Sequence, residues 1–568
     1  MATVEAQLVR GTGASAGIAI GPLLVLEHES VEVPDHPDPA AAVAGAVAEV
    51  AADLRARAEA AEAADRAEAG EVLKAQALMA EDAMLADAVR SKLDGGATLD
   101  TALTEAGAEL SAMLASLDDP YLAARAADVS EVVVLLERNL AGLGPAASTT
   151  PEVPSILCAP SISAADTAGL DPSLVLGIVT EEGGATSHVA IIARALGIPA
   201  VVGVDDLPAV GSNGATTVID GTAGELWVAP DPDRLADFRA KAAAAEAERA
   251  AAERYRGIAV TFDGRPVGVA ANVAGQADLE RAIEAAADGI GLMRTEFLYF
   301  DRADAPGEEE QFEWYRQAVS SFDAPVVIRL FDIGGDKPLD YLMPDPGPNP
   351  FLGVRGVRLY PQAAALLTTQ LRALLRAAVA GDLWVMVPMV ATVAEMVEVR
   401  RLVDEARATL EREGIDHGSI RLGTMVEVPS AALIATALAE VADFFSIGTN
   451  DLTQYAMAAD RTNGELDHLQ DPVHPAVLSL CRLTASAGRS AGIPVAVCGE
   501  AAADPVAAAL FAEMGIGKLS VAPPSVNPTK AVVAGLDAES AAAVAHQVES
   551  AADAAAVRSL VAPLLGAP

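Results

Sequence analysis

Basic residues and cysteine are scarce in this sequence. The 568 residues include 38 Lys and Arg against 80 Asp and Glu, which gives a formal net charge of −42. Such a charge repels nucleic-acid phosphates and anionic lipid headgroups, which argues against a protein that binds either. A small anionic substrate remains compatible with the composition, provided that arginine residues gather around it locally.

The three cysteines are Cys158, Cys481 and Cys498. They are too few, and odd in number, for a disulfide scaffold, and their spacing fits no zinc site. No run of about 18 apolar residues is present that would cross a membrane. The first residues also lack the basic segment and apolar core of a secretory signal. We therefore expect a soluble, cytoplasmic protein.

At about 150 residues per domain, the length predicts three to four domains. The residue composition changes twice within the first half of the chain. Residues 8–27 resemble a short β segment, whereas 35–142 are rich in Ala, Glu, Leu and Arg at helical spacing, which predicts a bundle of several helices. Short apolar runs between 151 and 221 predict strands around one helix. The uninterrupted helix formers of 231–256 favour a semi-rigid connector over a surface helix or a coiled coil.

The second half of the chain alternates strand-like runs with helical stretches. Eight such runs are VGVAANV (267–273), GIGLM (289–293), VVIRLFD (326–332), WVMVPMV (384–390), RLGTMVEV (421–428), FFSIGTNDL (444–452), PVAVCGE (494–500) and KLSVAP (518–523). Eight β/α units predict a (β/α)₈ TIM barrel. Polar side chains that end or follow these runs are Asn272, Arg294, Arg329, Asp332, Glu427, Asn450, Asp451, Cys498 and Glu500. In such a barrel they would face one common mouth, where this fold places its chemistry.

One histidine in the first half stands in a distinctive context. In GGATSHVAIIARALGIPAVVG (183–203), Thr186 or Ser187 can cap a helix that begins near His188, and Gly197 fits the position just after its end. The free N–H groups and positive dipole of a helix start favour an anion. His188 could therefore accept a phosphoryl group there. A capping or core histidine remains the alternative on spacing alone.

Glu427 and Asp451 stand on neighbouring predicted strands of the second half. Carboxylates without His or Cys partners suit Mg²⁺. Arg294, Arg329 and Arg461 could clamp a small, multiply charged anion, because guanidinium groups match phosphate and carboxylate.

Two further residues at strand ends could take part in the chemistry. Asn450 offers a neutral hydrogen bond to a bound anion. Cys498 could donate a proton to a carbon centre, although a buried, inert thiol explains its position equally well. The inert interpretation fits Cys158 and Cys481 better.

Long motifs along almost the whole chain carry a family resemblance. They are GASAGIAIG (13–21), the His188 segment (183–203), GIGLMRTEFLYF (289–300), RLFDIGGDKP (329–338), NPFLGVRGVR (349–358), TMVEVPSAA (424–432), FFSIGTNDLTQY (444–455) and VAVCGE (495–500). In these motifs the sequence resembles enzyme I of the bacterial sugar phosphotransferase system, the phosphoenolpyruvate–protein phosphotransferases.

The resemblance implies a role for each matched residue in the transfer of the phosphoryl group. His188 matches the family's phosphorylated histidine, which is modified on Nε2. Arg294, Arg329 and Arg461 match arginines that bind phosphoenolpyruvate, and Lys337 is expected near the phosphate.

The remaining matches concern the metal, the substrate and the proton. Glu427 and Asp451 match the Mg²⁺ ligands, with Asp451 and Asn450 also in contact with substrate. Cys498 matches the general acid that protonates the enolate to give pyruvate. Ala185 departs from the family, since many members carry Arg or Pro at that position.

The resemblance also implies a domain plan. Residues 1–32 plus 143–230 would form a swivelling phosphohistidine α/β domain, and 33–142 an inserted helical bundle that binds the phosphocarrier protein HPr. Residues 231–257 would be a helical linker, and 258–568 the phosphoenolpyruvate-binding TIM barrel, through which the protein would form a homodimer. We therefore expect Mg²⁺-dependent phosphorylation of His188 and onward transfer to HPr.

Rival functions fit this sequence less well. A pyruvate phosphate dikinase or phosphoenolpyruvate synthase shares the phosphohistidine and barrel domains, but it needs an ATP-binding domain for which this sequence has no Gly-rich nucleotide loop. A silent scaffold that only binds HPr is disfavoured because every expected catalytic group is present.

Overall fold

The structure is a computed structural model, and it divides into two compact units, residues 1–245 and 246–568. It describes residues 7–26, 31, 33–34, 36–63, 67–115, 126–143, 151, 153–162, 170–171, 173–181, 188–204, 213–300, 302, 304–334, 341–342, 349–461 and 463–565. Each unit is α/β in character, and each is described by itself below.

The first unit contains a mixed eight-stranded sheet. Its strands are β1 (Gln7–Arg10), β2 (Thr12–Ser15), β3 (Ile18–Val25), β4 (Ser155–Ala159), β5 (Val175–Thr180), β6 (Ala200–Val202), β7 (Thr216–Asp220) and β8 (Glu225–Val228). The order across the sheet is β1-β8-β7-β3-β4-β5-β6-β2. The central strands β3 to β6 pair in parallel. Strands β4 to β6 are almost completely buried and form near-continuous apolar runs, as is typical of parallel strands.

Five helices in the described part of the first unit lie between β3 and β4 in the sequence, and they pack around an apolar core of their own. They are Pro39–Ala63, Ala67–Ala80, Ala83–Asp94, Leu99–Ala115 and Ala126–Leu140. Leu54, Leu73, Leu103 and Leu136 are fully buried in this core. The helical bundle expected from the Ala-rich texture is therefore present.

A short helix carries the histidine singled out in the sequence. It spans His188–Leu196, and Gly197 follows with a positive φ of 68°, as expected for the residue just after a helix end. Ala190 and Ala193 are buried against the sheet. The predicted capping residues Thr186 and Ser187, like Ala185, lie outside the described residues.

The helix-forming tract between the predicted domains is one helix, Pro232–Ala252, followed by a 3₁₀ turn at Glu253–Tyr255. Most of its side chains are exposed. No described helix in the chain is both long and apolar enough to span a bilayer.

The second unit is a closed barrel of eight parallel strands, which confirms the predicted fold. The strands are β10 (Arg265–Val273), β11 (Ile290–Met293), β12 (Val326–Arg329), β13 (Leu383–Val387), β14 (Arg421–Val426), β15 (Phe445–Ile447), β16 (Val495–Val497) and β17 (Lys518–Val521). Pairing of β10 with both β17 and β11 closes the barrel. A further strand, β9 (Val260–Phe262), forms a hairpin with β10.

Helices surround the barrel on the outside. They are Gln276–Glu284, Glu308–Ser320, Ala364–Ala377, Val393–Glu413, Pro429–Leu433, Ala435–Leu438, Thr449–Met457, Pro475–Ala491, Pro505–Glu513, Val526–Gly535, Ala538–Val548 and Ala554–Val561. Inside the barrel, apolar side chains such as Leu292, Val327, Met386 and Met425 pack together. Because this core fills the interior, only the two rims are left to bind ligands.

Candidate active site

The carboxyl-end rim of the barrel collects the side chains that the sequence placed at strand ends. Arg329 ends β12, Arg294 follows β11, Glu427 follows β14 and Cys498 follows β16. The strands are parallel, so these residues share one rim, although they are far apart in the sequence.

Arg329 is almost completely buried at this rim. Its Nη2 lies 3.0 Å from Glu296 Oε1, and its Nη1 lies 3.4 Å from Asp332 Oδ2. Burial disfavours the charged guanidinium, but the two carboxylates outweigh it and hold the pKa of Arg329 above its usual range. Arg329 therefore stays charged inside the protein.

Arg355 joins two parts of the rim. Its Nε and Nη2 donate to Asp332 at 3.3 and 2.7 Å, and its Nη1 donates to Asp451 Oδ1 at 3.2 Å. Asp332 follows β12, and Asp451 lies in the first turn of the helix after β15. A single buried guanidinium thus fixes the loop after β12 against the loop after β15.

Glu427 is fully buried, and its two oxygens differ. Oε1 accepts a hydrogen bond from the backbone N–H of Met389 at 2.6 Å, whereas Oε2 has no partner among the described residues. Burial and the negative charges of Asp451 and Asp332 raise the pKa of Glu427 to about 8. A positive charge next to Oε2 would reverse that shift.

The backbone at Met389 is strained in a way that serves Glu427. Met389 has a φ of 58°, which is rare for a residue other than glycine. That conformation directs its N–H to the carboxylate. Gly356 packs against it with a φ of 54°, and a Cβ on Gly356 would lie 3.0 Å from Met389 Cβ and 3.1 Å from Asp332 Oδ1. The positive φ and these close contacts both favour glycine at position 356.

Asp451, Asn450 and Arg461 lie on the β15 side of the rim. Arg461 Nη1 is 3.5 Å from Asp451 Oδ2. Its side chain is more exposed than that of Arg355, the other arginine that pairs with Asp451. Asn450 Oδ1 accepts a hydrogen bond from the backbone N–H of Glu500 at 3.0 Å. This bond ties the loop after β15 to the loop that carries Cys498.

Cys498 is a buried thiol. Its Sγ lies 3.7 Å from the carbonyl oxygen of Ile447. Asn272 Nδ2 donates a hydrogen bond to the backbone carbonyl of Cys498 at 3.3 Å. Burial raises the pKa of Cys498 to about 11, so the thiol keeps its proton at neutral pH. Such a group can act as a proton donor but is a poor nucleophile.

Arg294 differs from the other rim arginines. It is half-buried, and its backbone N–H donates to Val273, but among the described residues its guanidinium has no carboxylate partner. It is thus available to bind an anion that enters the mouth.

The sequence analysis missed three residues that shape this site, namely Arg355, Glu296 and Met389. Arg355 stood in NPFLGVRGVR without an assigned role, and Glu296 stood in GIGLMRTEFLYF. Met389 acts through its backbone, which no residue pattern reveals. Two predicted site residues are not placed here: Lys337 and the side chain of His188 lie outside what the structure describes.

The rim fits a divalent cation. Four buried carboxylates, those of Glu296, Asp332, Glu427 and Asp451, meet only two buried arginines. Glu427 Oε2 has no hydrogen-bond partner in the part of the chain that the structure describes. No group of three or more His, Cys, Asp or Glu in the described part of the chain could enclose a metal. One or two carboxylates completed by water and substrate phosphate are what Mg²⁺ prefers.

Family models match most of the chain. The PEP-binding domain of PEP-utilising enzymes matches residues 248–538, their mobile domain matches 151–224, and their N-terminal domain matches 10–125. These matches identify the chain as a PEP-utilising enzyme, and the barrel with its charged mouth lies in the region that matches the PEP-binding domain.

Sequence comparison with individual relatives narrows the class of PEP-utilising enzymes further. The phosphoenolpyruvate-protein phosphotransferase of Streptomyces coelicolor is 42% identical, over 96% of this chain and 97% of the relative. That of Geobacillus stearothermophilus is 37% identical, over 98% of each chain. A multiphosphoryl transfer protein of Xanthomonas campestris is 38% identical, over 97% of this chain and 66% of the relative. This chain belongs to the phosphoenolpyruvate-protein phosphotransferase family, and it is a phosphotransferase.

Replacing the guanidinium that joins the rim tests this arrangement. Arg355→Met leaves Asp332 and Asp451 buried without their main partner, so we expect a loss of about 3–5 kcal/mol of unfolding free energy. Arg355→Met combined with Asp332→Asn is expected to cost less than the two single changes together. Urea unfolding followed by tryptophan fluorescence measures both.

The control is Arg316→Met, which breaks an exposed ion pair with Glu313 and is expected to cost under about 1 kcal/mol. An equally small cost for Arg355→Met would contradict the proposed bridging role.

Proposed function

We propose that this enzyme transfers the phosphoryl group of phosphoenolpyruvate to His188, releases pyruvate, and passes the group on to a histidine of HPr. The observation that carries the proposal is the unequal pairing of charges at the barrel mouth. Among the described residues, Arg294 has no carboxylate partner and Glu427 Oε2 has no donor, so the mouth can receive an anion and a cation together.

Arg294, Arg329 and Arg461 are the proposed ligands of phosphoenolpyruvate. Arg329 is held rigidly by Glu296 and Asp332, which reduces the entropy lost when it binds an anion. Arg461 interacts with Asp451 across 3.5 Å and can turn toward substrate. Asn450 supplies a neutral hydrogen bond, and Lys337 is proposed to lie near the phosphate.

Glu427 and Asp451 are the proposed ligands of Mg²⁺. When bound, the ion would neutralise negative charge on the phosphoryl oxygens, and phosphoryl transfer depends mainly on such electrostatic stabilisation and on positioning. The Met389 N–H holds Glu427 Oε1 and so leaves the buried Oε2 as the oxygen proposed to bind the metal.

Cys498 is the proposed general acid. Once the phosphoryl group has left, the enolate needs a proton on carbon. Transfer of that proton breaks the S–H bond of Cys498 and forms the C–H bond of pyruvate, and solvent later returns a proton to sulfur. The raised pKa of Cys498, about 11, keeps the proton available until the enolate forms.

His188 is the proposed phosphoryl acceptor, at Nε2. It begins the helix His188–Leu196, and a helix start stabilises the negative charge of a phosphorylated side chain. We assign 1–32 plus 143–230 to the phosphohistidine domain and 258–568 to the barrel domain. The phosphohistidine domain would swivel about the linker 231–257, because His188 must meet both phosphoenolpyruvate and HPr.

The helical segment 33–142 is the proposed docking platform for HPr. Leu78 and Met84 are 66% and 53% exposed there. Met84 also lines a groove of about 170 Å³, together with Met79, Leu85 and Leu110. Apolar side chains exposed in this way are typical of a protein–protein interface.

We further propose that the barrel domain mediates a homodimer. Phe297, Leu352 and Leu433 are each about half exposed or more, and they provide apolar surface for such an interface. The reaction partners are proposed to meet in the cytoplasm.

The intact mass of the purified protein after incubation with phosphoenolpyruvate and Mg²⁺ tests the proposed acceptor. We expect the gain of one acid-labile phosphoryl group, its absence in His188→Ala, and its loss when HPr is added. His546→Ala, in a helix of the barrel unit, is the matched control and should still be phosphorylated. Failure of the folded wild type to gain mass would favour the scaffold that only binds HPr.

Cys498→Ala tests the proton donor. We expect phosphoryl exchange to survive in part while steady pyruvate formation falls by about 10²–10⁴-fold, the usual contribution of a general acid. Cys481→Ala, which removes another buried thiol, should remain close to wild type. Coupled assays of pyruvate release and isotope exchange separate the two steps, and full activity of Cys498→Ala would refute the role.

A further inference from the structure

The opposite end of the barrel contains a second cavity, which the proposed function does not use. Its volume is about 380 Å³. It lies where the parallel strands begin, so the packed interior separates it from the carboxyl-end rim. We call it the basal cavity and define it by Arg265, Val327, Trp384, Phe444, Arg489 and Lys518.

Lys518 is the most unusual residue of the basal cavity. Its Nζ is buried and has no hydrogen-bond partner in the described part of the chain. The carboxylates whose charge reaches it already have donors: Asp288 Oδ1 accepts from Lys530 Nζ at 2.7 Å, and Asp382 Oδ1 accepts from Trp384 Nε1 at 3.0 Å. A compensating group for Lys518 is the Trp384 ring, whose centroid lies 5.6 Å from Nζ. A buried ammonium group without a hydrogen bond is costly, and a bound anion would offset that cost.

Two arginines add positive charge to the same cavity. The Nη1 atoms of Arg265 and Arg489 both come within 2.9 Å of the position that a Cβ on Gly515 would occupy. Arg489 Nη1 also donates to the carbonyl of Met514 at 3.0 Å. Neither guanidinium forms an ion pair with a carboxylate of the described residues.

This group of cations is unexpected in so acidic a chain. Asp and Glu outnumber Lys and Arg by 80 to 38, so carboxylates are abundant and many exposed arginines have one within ion-pair distance. Three cations nevertheless line one cavity without such a partner in the described part of the chain. Arg265 and Arg489 are exposed and partly screened by water, so the repulsion costs free energy mainly at the buried Nζ of Lys518. A bound anion would offset both the repulsion and the buried charge of Lys518.

The walls of the cavity determine which anion fits. The rings of Trp384 and Phe444 lie 4.9 Å apart at 45°, and Val327 adds an aliphatic surface. A phosphate or sulfate ion would leave these walls uncovered. A ligand with an apolar body and one anionic end matches the walls and the cations together.

We propose that the basal cavity binds a small amphipathic monocarboxylate, with its carboxylate on Lys518, Arg265 and Arg489 and its aromatic or branched apolar body against Trp384 and Phe444. The site is separate from the phosphoenolpyruvate site and does not depend on the phosphoryl-transfer proposal.

A titration with phenylacetate, followed by ligand-observed NMR on the full-length protein, tests this site. We expect saturable binding of phenylacetate and at least about tenfold weaker binding of its neutral counterpart phenylacetamide, since a charged hydrogen bond is worth about 1.5–3 kcal/mol. Equal binding of the two compounds, or no saturable binding of phenylacetate, would overturn the proposal.

Variants identify the residues that recognise the carboxylate. Lys518→Met replaces a buried ammonium by an apolar side chain of similar length, so it should fold, and it should weaken phenylacetate binding at least about tenfold. Arg489→Gln provides a second test, also with weaker binding expected. Arg412→Gln removes the same charge from an exposed helix position and should bind like wild type.

Competition separates the two ends of the barrel. Phenylacetate binding to the His188→Ala protein, which lacks the proposed phosphoryl acceptor and so does not turn over, should persist in an excess of phosphoenolpyruvate and Mg²⁺. Complete displacement by phosphoenolpyruvate, or unchanged binding by Lys518→Met, would place the ligand elsewhere and contradict the assignment to the basal cavity.

Discussion

The guanidinium of Arg355, held between Asp332 and Asp451, is the interaction on which the barrel mouth depends. Its bonds of 2.7–3.3 Å keep two buried carboxylates, from different strand ends, in fixed positions. Arg329 forms ion pairs with both Asp332 and Glu296. These groups are already paired with one another, whereas Arg294 and Glu427 Oε2 have no charged partner among the described residues.

The balance of buried charge explains why the mouth suits both an anion and a metal ion. The carboxylates outnumber the buried arginines, and their mutual repulsion, together with burial, raises the pKa of Glu427 to about 8. A divalent cation would restore the ionised form of Glu427, while the arginines facing the opening attract a phosphorylated acid. The strained backbone of Met389 is explained in the same way, since its N–H fixes the orientation of Glu427.

Much of the barrel and its mouth could be predicted from the sequence because parallel strands bring their carboxyl ends to one rim. Arg294, Arg329, Glu427 and Cys498 needed only a strand pattern to be placed there. Arg355 could not be placed so, because it precedes a 3₁₀ segment outside any strand. Lys518 begins a strand that looked ordinary, and its lack of a partner depends on side chains from distant elements. The proposed role of His188 rests on family resemblance, since the spacing of its neighbours alone does not exclude a histidine with a purely structural role.

The central claim is that the barrel mouth binds phosphoenolpyruvate and Mg²⁺ together. Calorimetric titration of phosphoenolpyruvate into the His188→Ala protein, with and without Mg²⁺, tests it without turnover. The account predicts that Mg²⁺ tightens binding by about tenfold or more, within the usual range of coupling between two ligands, and that Glu427→Gln removes this gain. Equal affinity with and without Mg²⁺ would contradict the account.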